Sequence, residues 1–294
     1  MMKRQTKKER RQKLQNNLQE EKRNMLFDSH THFNNEDLTS LERQALFSSV
    51  DKAVREGKMS GAVDIGFDLP SSELAAEHAR TWDWCYAAVG CHPHDAKTMD
   101  KEKLEKIRQL TRDEKVVAIG EIGLDFYYDL SDRDVQREWF RKQIRLANEL
   151  MMPITIHARE ADQEVMDILK EEGAFSKERL EHFGHAGVLL HCFSGSAELG
   201  KQYVKLGAYL SVAGPVTYKN NKKTVAMVAA VPIERLLVET DAPYLTPVPF
   251  RGKRNTPLFV EHTARKVAEI KGLTFEETAI ITRDNAMRFY GIKG

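Results

Sequence analysis

An alternation of two kinds of segment runs through the chain from Met25 onward and is the strongest constraint on its fold. Eight short apolar, β-branched segments alternate with stretches of helical periodicity, and no Pro/Gly/Ser-rich linker separates them. Strands that are buried on both faces read as near-continuous apolar runs, as most of these segments do. The sequence therefore predicts an α/β protein. Strands are expected at 25–28, 61–67, 85–90, 116–120, 153–156, 187–190, 208–212 and 235–238, and helices near 40–57, 71–81, 101–111, 133–149, 162–172, 196–206, 221–230, 257–271 and 275–290.

The number of strand–helix units selects between two parallel folds. Eight units in about 270 residues match the usual size of a parallel barrel surrounded by helices. The competing fold is a doubly wound open sheet, but the sequence lacks the G-x-G-x-x-G phosphate fingerprint after its first strand. We therefore predict a (β/α)8 TIM barrel over residues 25–294, ending in C-terminal helices.

Residues 1–24 differ in charge from the remainder of the chain. They contain nine Lys/Arg and three Asp/Glu residues, so residues 25–294 are net negative within the total charge of +1. We expect a basic N-terminal extension that is disordered or helical, because charge runs of this kind are commonly only solvated. Two alternatives are an arm that binds nucleic-acid phosphates and a natural translation start at Met25.

Composition narrows the class of protein. The 294 residues are 41% hydrophobic and 30% charged, which is sufficient for a sizeable core. No apolar run approaches the length of a membrane-spanning helix, and the basic leader lacks the apolar core of a secretory signal. Cys85, Cys91 and Cys192 show no C-x-x-C spacing, which argues against a disulfide framework and a cysteine zinc site. We expect a cytoplasmic protein with no membrane partner.

Polar residues follow most of the predicted strands. In a parallel barrel the chemistry lies at the carboxyl ends of the strands, so these residues are the first candidates for a site. Six of the ten histidines fall there. The residues at the strand ends are Asp28, His30, His32, His92, His94, Glu121, Asp125, His157, Arg159, His191, Glu239 and Asp241.

Part of this set has the chemistry of a cation site. Residues two apart in a strand point to the same side, so His30 and His32 can direct two imidazoles into one space. Taken singly, His157 or His191 could be an ordinary hydrogen-bonded core histidine. An ionised carboxylate at the end of a buried strand is costly unless it is paired or bound to a cation. The convergence of imidazoles and carboxylates predicts a metal site formed by His30, His32, Glu121, His157, His191 and Asp241.

Four imidazoles and two carboxylates exceed what one ion needs if positions stay open for water and substrate. Two ions that share a bridging carboxylate would satisfy the set, and nitrogen and oxygen ligands suit zinc, manganese or magnesium. Such a pair stabilises an in-line displacement at phosphorus and lowers the pKa of a bridging water. The predicted reaction is hydrolysis with two divalent metal ions as cofactors.

Six motifs resemble the signature set of TatD-family metal-dependent hydrolases, within the amidohydrolase superfamily of barrels. The resemblance covers Met25 to Gly294 in the expected order and does not include residues 1–24. The motifs are DSHTH at 28–32, GCHPH at 90–94, IGEIGLD at 119–125, HCFSG at 191–195, ETDAPY at 239–244 and PFRGKRN at 249–255.

The resemblance implies two metal sites that share Glu121, which takes the place of the carbamylated lysine found in many superfamily members. It also implies that Asp241 orients or deprotonates the attacking water, so Asp241 and Glu121 are the expected catalytic residues. The first implied site consists of His30, His32, Glu121 and Asp241, and the second of Glu121, His157 and His191.

Members of this family are mostly described as magnesium- or manganese-dependent deoxyribonucleases, some of which trim DNA from the 3′ end. The resemblance therefore implies a 3′-5′ exonuclease that takes single-stranded DNA or 3′ ends as substrate. An alternative from some relatives is a D-aminoacyl-tRNA deacylase, which would use the same metal site on tRNA. A non-catalytic nucleic-acid-binding protein that kept the fold is a third hypothesis.

Side chains near the strand ends favour a phosphate-bearing substrate, because guanidinium groups suit bidentate contact with phosphate oxygens. Loop arginines can equally be plain surface charges. The aromatic residues Phe126, Tyr127, Tyr128 and Phe193 could stack on bases or belong to the core. The candidate substrate-binding residues are His92, which the resemblance implies, and Arg159, Tyr218, Arg251 and Arg254.

Overall fold

Eight parallel strands form one sheet in the computed structural model, which describes residues 26–293. Strands that are neighbours in sequence are also neighbours in the sheet. The expectations for residues 1–24 lie outside the described residues. The strands are β1 (Leu26–Thr31), β2 (Met59–Ile65), β3 (Cys85–Val89), β4 (Val116–Asp125), β5 (Ile154–Arg159), β6 (Val188–Leu190), β7 (Tyr209–Val212) and β8 (Leu236–Val238).

Backbone hydrogen bonds join the two ends of the sheet. The segment after β8 lies beside β1, where the N–H of Asp241 donates to the carbonyl of His30 at 2.9 Å. One step further along, the N–H of His32 donates to the carbonyl of Ala242 at 2.8 Å. Closure places the carboxyl ends of all the strands at one rim. The predicted (β/α)8 TIM barrel is confirmed.

Helices connect successive strands, and two more follow β8. Many begin at a side-chain cap, and Thr39, Asp68 and Thr274 form reciprocal capping boxes. None of the helices within residues 26–293 is both long and apolar enough to span a membrane. The helices are α1 (Ser40–Arg55), α2 (Leu69–Thr81), α3 (Lys101–Leu110), α4 (Arg133–Leu150), α5 (Asp162–Glu171), α6 (Lys177–Phe183), α7 (Ala197–Lys205), α8 (Lys222–Ala230), α9 (Val260–Lys271) and α10 (Phe275–Tyr290).

Three strands and one helix differ from the prediction. The apolar pattern predicts strand ends at residues 28, 120 and 156, whereas β1 continues to Thr31, β4 to Asp125 and β5 to Arg159. Polar residues interrupt the apolar pattern in all three extensions, because these parts of the strands leave the core and enter the site. Helix α6 is also absent from the prediction, since seven residues give little periodicity.

Two apolar clusters hold the barrel together. The larger one packs the outer faces of the strands against the helices. The smaller one contains inward-facing side chains of several strands, such as Phe27, Val63 and Tyr209, together with Phe289 and Tyr290 at the end of α10. The hydroxyl of Tyr290 donates to the carbonyl of Ser29 at 2.8 Å. Helix α10 therefore covers the interior of the barrel and anchors β1, which carries the first histidines of the site.

Candidate active site

Glu121 lies at the centre of the polar residues at the rim and is only 3% exposed. Its Oε1 is 2.7 Å from Nε2 of His191 and 2.8 Å from Nδ1 of His157. The same oxygen lies 3.5 Å from Nε2 of His92. Three imidazoles from β3, β5 and β6 or the residues just after them therefore face one carboxylate oxygen.

The other oxygen of Glu121 faces the histidines of β1. Its Oε2 is 3.3 Å from Nε2 of His30 and 3.9 Å from Nε2 of His32. Asp241 lies on the far side of the same two rings, with Oδ1 at 3.7 Å from His30 and 3.3 Å from His32. The structure thus brings together all six side chains that the sequence assigns to the metal site, on opposite sides of Glu121.

Local backbone and ring contacts orient these side chains. Asp241 has a φ of 54°, a left-handed conformation that aspartate tolerates better than most residues. Nδ1 of His32 lies 2.8 Å from the carbonyl of Ile65, so Nδ1 carries a proton and Nε2 faces the cluster. The ring of His30 stacks on that of His191, with centroids 4.0 Å apart and planes at 12°.

Asp125 supports His157 from behind. Its Oδ2 lies 3.1 Å from Nε2 of His157 and 2.8 Å from Nε2 of His94. The carboxylate is buried, and its pKa lies well below the ordinary value because hydrogen bonds from His157, a backbone N–H and His94 outweigh the opposing effect of burial. Asp125 therefore stays ionised and directs Nδ1 of His157 toward Glu121.

Glu239 lies behind His191, at ion-pair distance. It is completely buried and accepts hydrogen bonds from the N–H of Cys192 at 2.7 Å and from the hydroxyl of Ser211. Its Oε1 lies 3.4 Å from Nδ1 of His191. Carboxylates placed behind an imidazole set its tautomer and increase its basicity as a ligand.

Asp28 connects β1 to the segment that carries Asp241. It accepts hydrogen bonds from the N–H of Thr240 at 2.9 Å and from the Thr240 hydroxyl at 2.5 Å. Burial raises the pKa of Asp28 well above its ordinary value. This contact holds residues 212 positions apart in the chain against each other, directly beside His30 and Asp241.

The electrostatics of the cluster attract positive charge. Burial lowers the pKa of a histidine, but a hydrogen bond and the charge of Asp241 overcome this and raise the pKa of His32 to about 9. Glu121 likewise overcomes burial and raises the pKa of His191 well above its ordinary value. The pKa of Glu121 itself is low, because the neighbouring imidazoles, His191 foremost, together outweigh its burial. A field that draws protons to imidazoles also favours a bound cation.

The donor set fits divalent cations. His30 is fully buried, and neither of its ring nitrogens has a hydrogen-bond partner, which is uncommon unless a ligand completes the site. Imidazole nitrogens and carboxylate oxygens lie within 4.8 Å of one another in three groups. The groups are His30, His32 and Glu121; His92, Glu121 and His157; and His30, His191 and Glu239.

A cavity of about 680 Å³ opens over this cluster. Its volume lies in the usual range for a small-molecule site. Two of the predicted substrate-binding residues, His92 and Arg159, line it beside Glu121. Burial and the positive charge of His157 lower the pKa of His92 well below its ordinary value, so this ring is neutral at neutral pH.

The other predicted substrate-binding residues lie further out. Tyr218 and Arg251 line an adjoining cavity of about 420 Å³, and the Arg251 guanidinium lies 4.3 Å from the centre of the Tyr218 ring. Asn221 lines both cavities. Arg254 lines a third cavity and pairs with Glu42 at 3.1 Å. The structure therefore does not bring Arg254 to the wall of the main cavity.

Sequence reasoning assigned no role to three buried carboxylates. Asp28, Asp125 and Glu239 all stand at predicted strand ends, so their position was the available signal. A strand-end carboxylate can contact a metal or an imidazole, and this choice depends on neighbours that are distant in the chain. The structure shows that these three contact the residues around Glu121 from outside the cluster.

Comparison with known proteins identifies the family. The family model described as "TatD related DNase" matches residues 27–291. The chain belongs to the TatD family. It is a metal-dependent hydrolase, as the resemblance of its motifs implied.

Relatives of this TatD-family chain cover almost all of it. The uncharacterized metal-dependent hydrolase YabD of Bacillus subtilis is 48% identical, over 91% of this chain and 100% of the relative. The 3′-5′ ssDNA/RNA exonuclease TatD of Cronobacter sakazakii is 33% identical, over 80% of this chain and 88% of the relative. The crystal structure of the TatD homologue YJJV from Escherichia coli has a TM-score of 0.81 at 25% identity, covering 92% and 99% of the two chains.

Proposed function

We propose that this TatD-family hydrolase is a deoxyribonuclease that removes nucleotides from the 3′ ends of single-stranded DNA. The observation that carries the proposal is an unpaired guanidinium in the same cavity as the Glu121 cluster. Within residues 26–293, the Arg159 side chain contacts two tyrosine rings and no carboxylate. A relative whose name describes a 3′-5′ ssDNA/RNA exonuclease supports the polarity.

An unpaired arginine next to a metal-binding cluster suits a phosphodiester better than an uncharged amide. Arg254, by contrast, is paired with Glu42. Arg159 keeps its donors free for phosphate oxygens, and the planar guanidinium matches two of them at once. Arg251 beside Tyr218 lies where a substrate longer than the main cavity would extend.

We assign the metal ions to the two sites implied by the resemblance, with Glu121 shared between them. When bound, a divalent pair supplies positive charge for the phosphate and increases the acidity of the attacking water. The identity and number of the ions stay predictions, as does the cytoplasmic location. The ligands are proposed as His30, His32, Glu121 and Asp241 at the first site and Glu121, His157 and His191 at the second.

The protein's own groups have distinct roles in this proposal. The Asp241 carboxylate is ionised at neutral pH, because the hydrogen bond with His32 and the charges of the neighbouring imidazoles together outweigh its burial and lower its pKa. It can therefore accept the proton of the attacking water. The neutral His92 ring lines the cavity and can bind a phosphate oxygen or the leaving group by hydrogen bonding. Arg159 orients the phosphodiester.

The test is metal-dependent shortening of labelled single-stranded DNA. Purified protein treated with a chelator and then supplied with magnesium or manganese should shorten a 5′-labelled oligonucleotide from its 3′ end. The substitution Asp241→Asn should abolish turnover. Asp167→Asn, which changes an exposed carboxylate on α5, is the matched control and should retain wild-type activity.

Two outcomes would contradict the proposal. One is the same cleavage with and without chelator, which would indicate a contaminating nuclease. The other is no cleavage of DNA together with metal-dependent hydrolysis of D-aminoacyl-tRNA by the same preparation, which would favour the deacylase. No observation on the described residues specifically favours the deacylase, so D-aminoacyl-tRNA is included only as a comparison substrate in the assay.

A further inference from the structure

Two tyrosines and one arginine stand together at the edge of the main cavity, and we call Tyr127, Tyr128 and Arg159 the aromatic platform. The tyrosines are 54% and 52% exposed, which is unusual for large aromatic side chains. Their rings lie 4.9 Å apart at 83°. The Arg159 guanidinium lies 4.1 Å and 4.6 Å from the two ring centres. The platform thus combines two half-exposed aromatic rings with an unpaired cation.

The structure separates these tyrosines from the other aromatic candidates. Phe193 is only 4% exposed and belongs to the core cluster. Phe126 is half-buried and packs against the same cluster. Tyr128 and Phe193 both line the main cavity, but only Tyr128 is exposed there, and the two phenylalanines stabilise the fold. Only Tyr127 and Tyr128 of the four sequence candidates therefore present a ring to a ligand.

The platform is held at a fixed distance from the catalytic cluster. Oδ1 of Asp125 accepts hydrogen bonds from the N–H of Tyr127 at 3.0 Å and of Tyr128 at 2.9 Å. Oδ2 of the same carboxylate contacts His157 at 3.1 Å. One buried side chain thus positions both the platform backbone and a predicted metal ligand. A ligand bound on the rings is therefore held at a defined distance from Glu121.

We propose that the aromatic platform binds an unpaired nucleobase of the nucleotide next to the scissile phosphodiester, with Arg159 contacting the adjoining phosphate. This inference rests on the proposed function. Every nucleobase has a π-face, so stacking on tyrosine tolerates any sequence, and it requires a base free of its own neighbours. The platform therefore makes the enzyme specific for single strands and frayed ends over intact duplex.

The experiment is an abasic scan with wild-type and variant enzyme. Single-stranded DNA decamers carry one abasic nucleotide at successive positions from the 3′ end, and kcat/KM is measured with manganese. In the wild type, an abasic nucleotide at one position should lower kcat/KM by about 10-fold, as expected for the loss of one base stacked on an aromatic ring. In the double variant Tyr127→Ala/Tyr128→Ala that dependence should vanish, because the missing base and the missing rings affect the same contact.

Two further variants separate stacking from other effects. Tyr127→Phe/Tyr128→Phe keeps both rings and should keep the abasic dependence. Leu130→Ala truncates a neighbouring side chain that is 53% exposed and not aromatic, and it should behave as the wild type. A second measurement uses chelator-treated protein and decamers with 2-aminopurine at the 3′-terminal or the penultimate nucleotide. Its fluorescence should be quenched on binding to the wild type and not to the alanine variant.

The outcomes distinguish this inference from the proposed function. If no DNA is cleaved with any metal, the proposed function fails, while the 2-aminopurine signal still tests whether the rings bind a base. If DNA is cleaved but the abasic cost persists in the alanine variant, the platform inference is overturned and the nuclease stands. Equal kcat/KM on duplex and single-stranded DNA would also overturn it. An equivalent quench with RNA decamers would extend the site to both nucleic acids.

Discussion

His157 and His191 contact Oε1 of Glu121, and each has a second carboxylate on its other side. Asp125 lies behind His157, and Glu239 lies behind His191. The outer carboxylate favours a proton on the ring nitrogen that faces it, so the other nitrogen is the one that can bind a cation beside Glu121. At the scale of single residues, the site therefore consists of ligands and the groups that fix their tautomers.

Glu239→Gln should weaken metal binding while the ligands stay in place. The amide keeps the shape of the side chain but removes the charge that favours a proton on Nδ1 of His191. We expect affinity for Mn²⁺ to fall by about 10- to 100-fold, the usual effect of changing such a partner. Calorimetric titration of chelator-treated protein measures this. Glu234→Gln, on an exposed glutamate at the other end of β8, should leave the affinity unchanged, and unaltered affinity in Glu239→Gln would reject the role.

Glu121→Gln should remove the stabilisation that metal gives to the fold. A ligand that binds only the native state at 100 times its Kd stabilises it by about 2.7 kcal/mol. Mn²⁺ should therefore raise the melting temperature of the chelator-treated wild type and leave that of Glu121→Gln unchanged. Differential scanning fluorimetry with and without the ion checks this. An equal rise in both proteins would show that Glu121 is not a shared ligand.

The elements that carry the site approach each other closely. Gly123 in β4 has a φ of 150°, and a Cβ there would lie 1.9 Å from the carbonyl oxygen of His157 in β5. The two strands pair at this point, with Gly123 opposite His157. The glycine thus allows β4 and β5 to continue past the apolar core and bring Asp125 to the ring of His157.

Gly123→Ala should separate the two strands at the site. The clash is with backbone, which cannot move aside as a flexible side chain would, so we expect a loss of at least about 3 kcal/mol in unfolding free energy. Gly173→Ala is the matched control, because its φ is 72° but nothing lies within 4 Å of the added Cβ. Its cost should be about 1 kcal/mol. Urea unfolding measures the loss in unfolding free energy for both variants. Equal losses would show that the clash with the His157 carbonyl does not occur.

The two ends of the barrel have different functions. The carboxyl ends of the strands carry the polar cluster, whereas the segment before β6 carries a buried histidine that belongs to the fold. Nδ1 of His185 accepts a hydrogen bond from the N–H of Gly187 at 2.9 Å, so the folded protein holds the neutral ring. Burial lowers the pKa of His185 to about 4. This end is therefore expected to influence stability and not catalysis.

Stability should depend on pH through His185. Its pKa in the unfolded chain is about 6.5, so between pH 6.5 and 4 the unfolded state binds a proton that the native state excludes. The stabilisation is complete above pH 6.5 and is lost as the pH falls toward 4, by on the order of 3 kcal/mol. Urea unfolding at pH 7 and 4.5 should show a smaller loss in His185→Gln than in the wild type.

The exposed neighbour His182 provides the control for this pH dependence. His182→Gln removes a histidine from α6 without affecting the buried ring, and it should retain the wild-type change in stability between the two pH values. If His185→Gln loses as much stability as the wild type on acidification, the buried ring does not account for the dependence.

Much of the fold and most of the cluster could be predicted. Strand and helix periods are local properties, so all eight strands were expected, and closure of the barrel then gathers polar residues at one rim. The histidines of β1 were expected to point together for the same reason. Helix α6 and the ends of β1, β4 and β5 were missed, because short or polar segments carry weak periodicity.

Local patterns in the sequence were sufficient for the order of the elements and for the residue types at each strand end. Only the tertiary structure decided which of those side chains contact each other. Glu239 meets Cys192 across 47 positions, and Arg254 meets Glu42 across 212. Such pairs depend on strand register and ring direction after the barrel closes, which no local pattern encodes. Exposure is likewise a property of the folded chain. The sequence alone therefore could not distinguish the exposed Tyr127 and Tyr128 from the more buried Phe126 and Phe193.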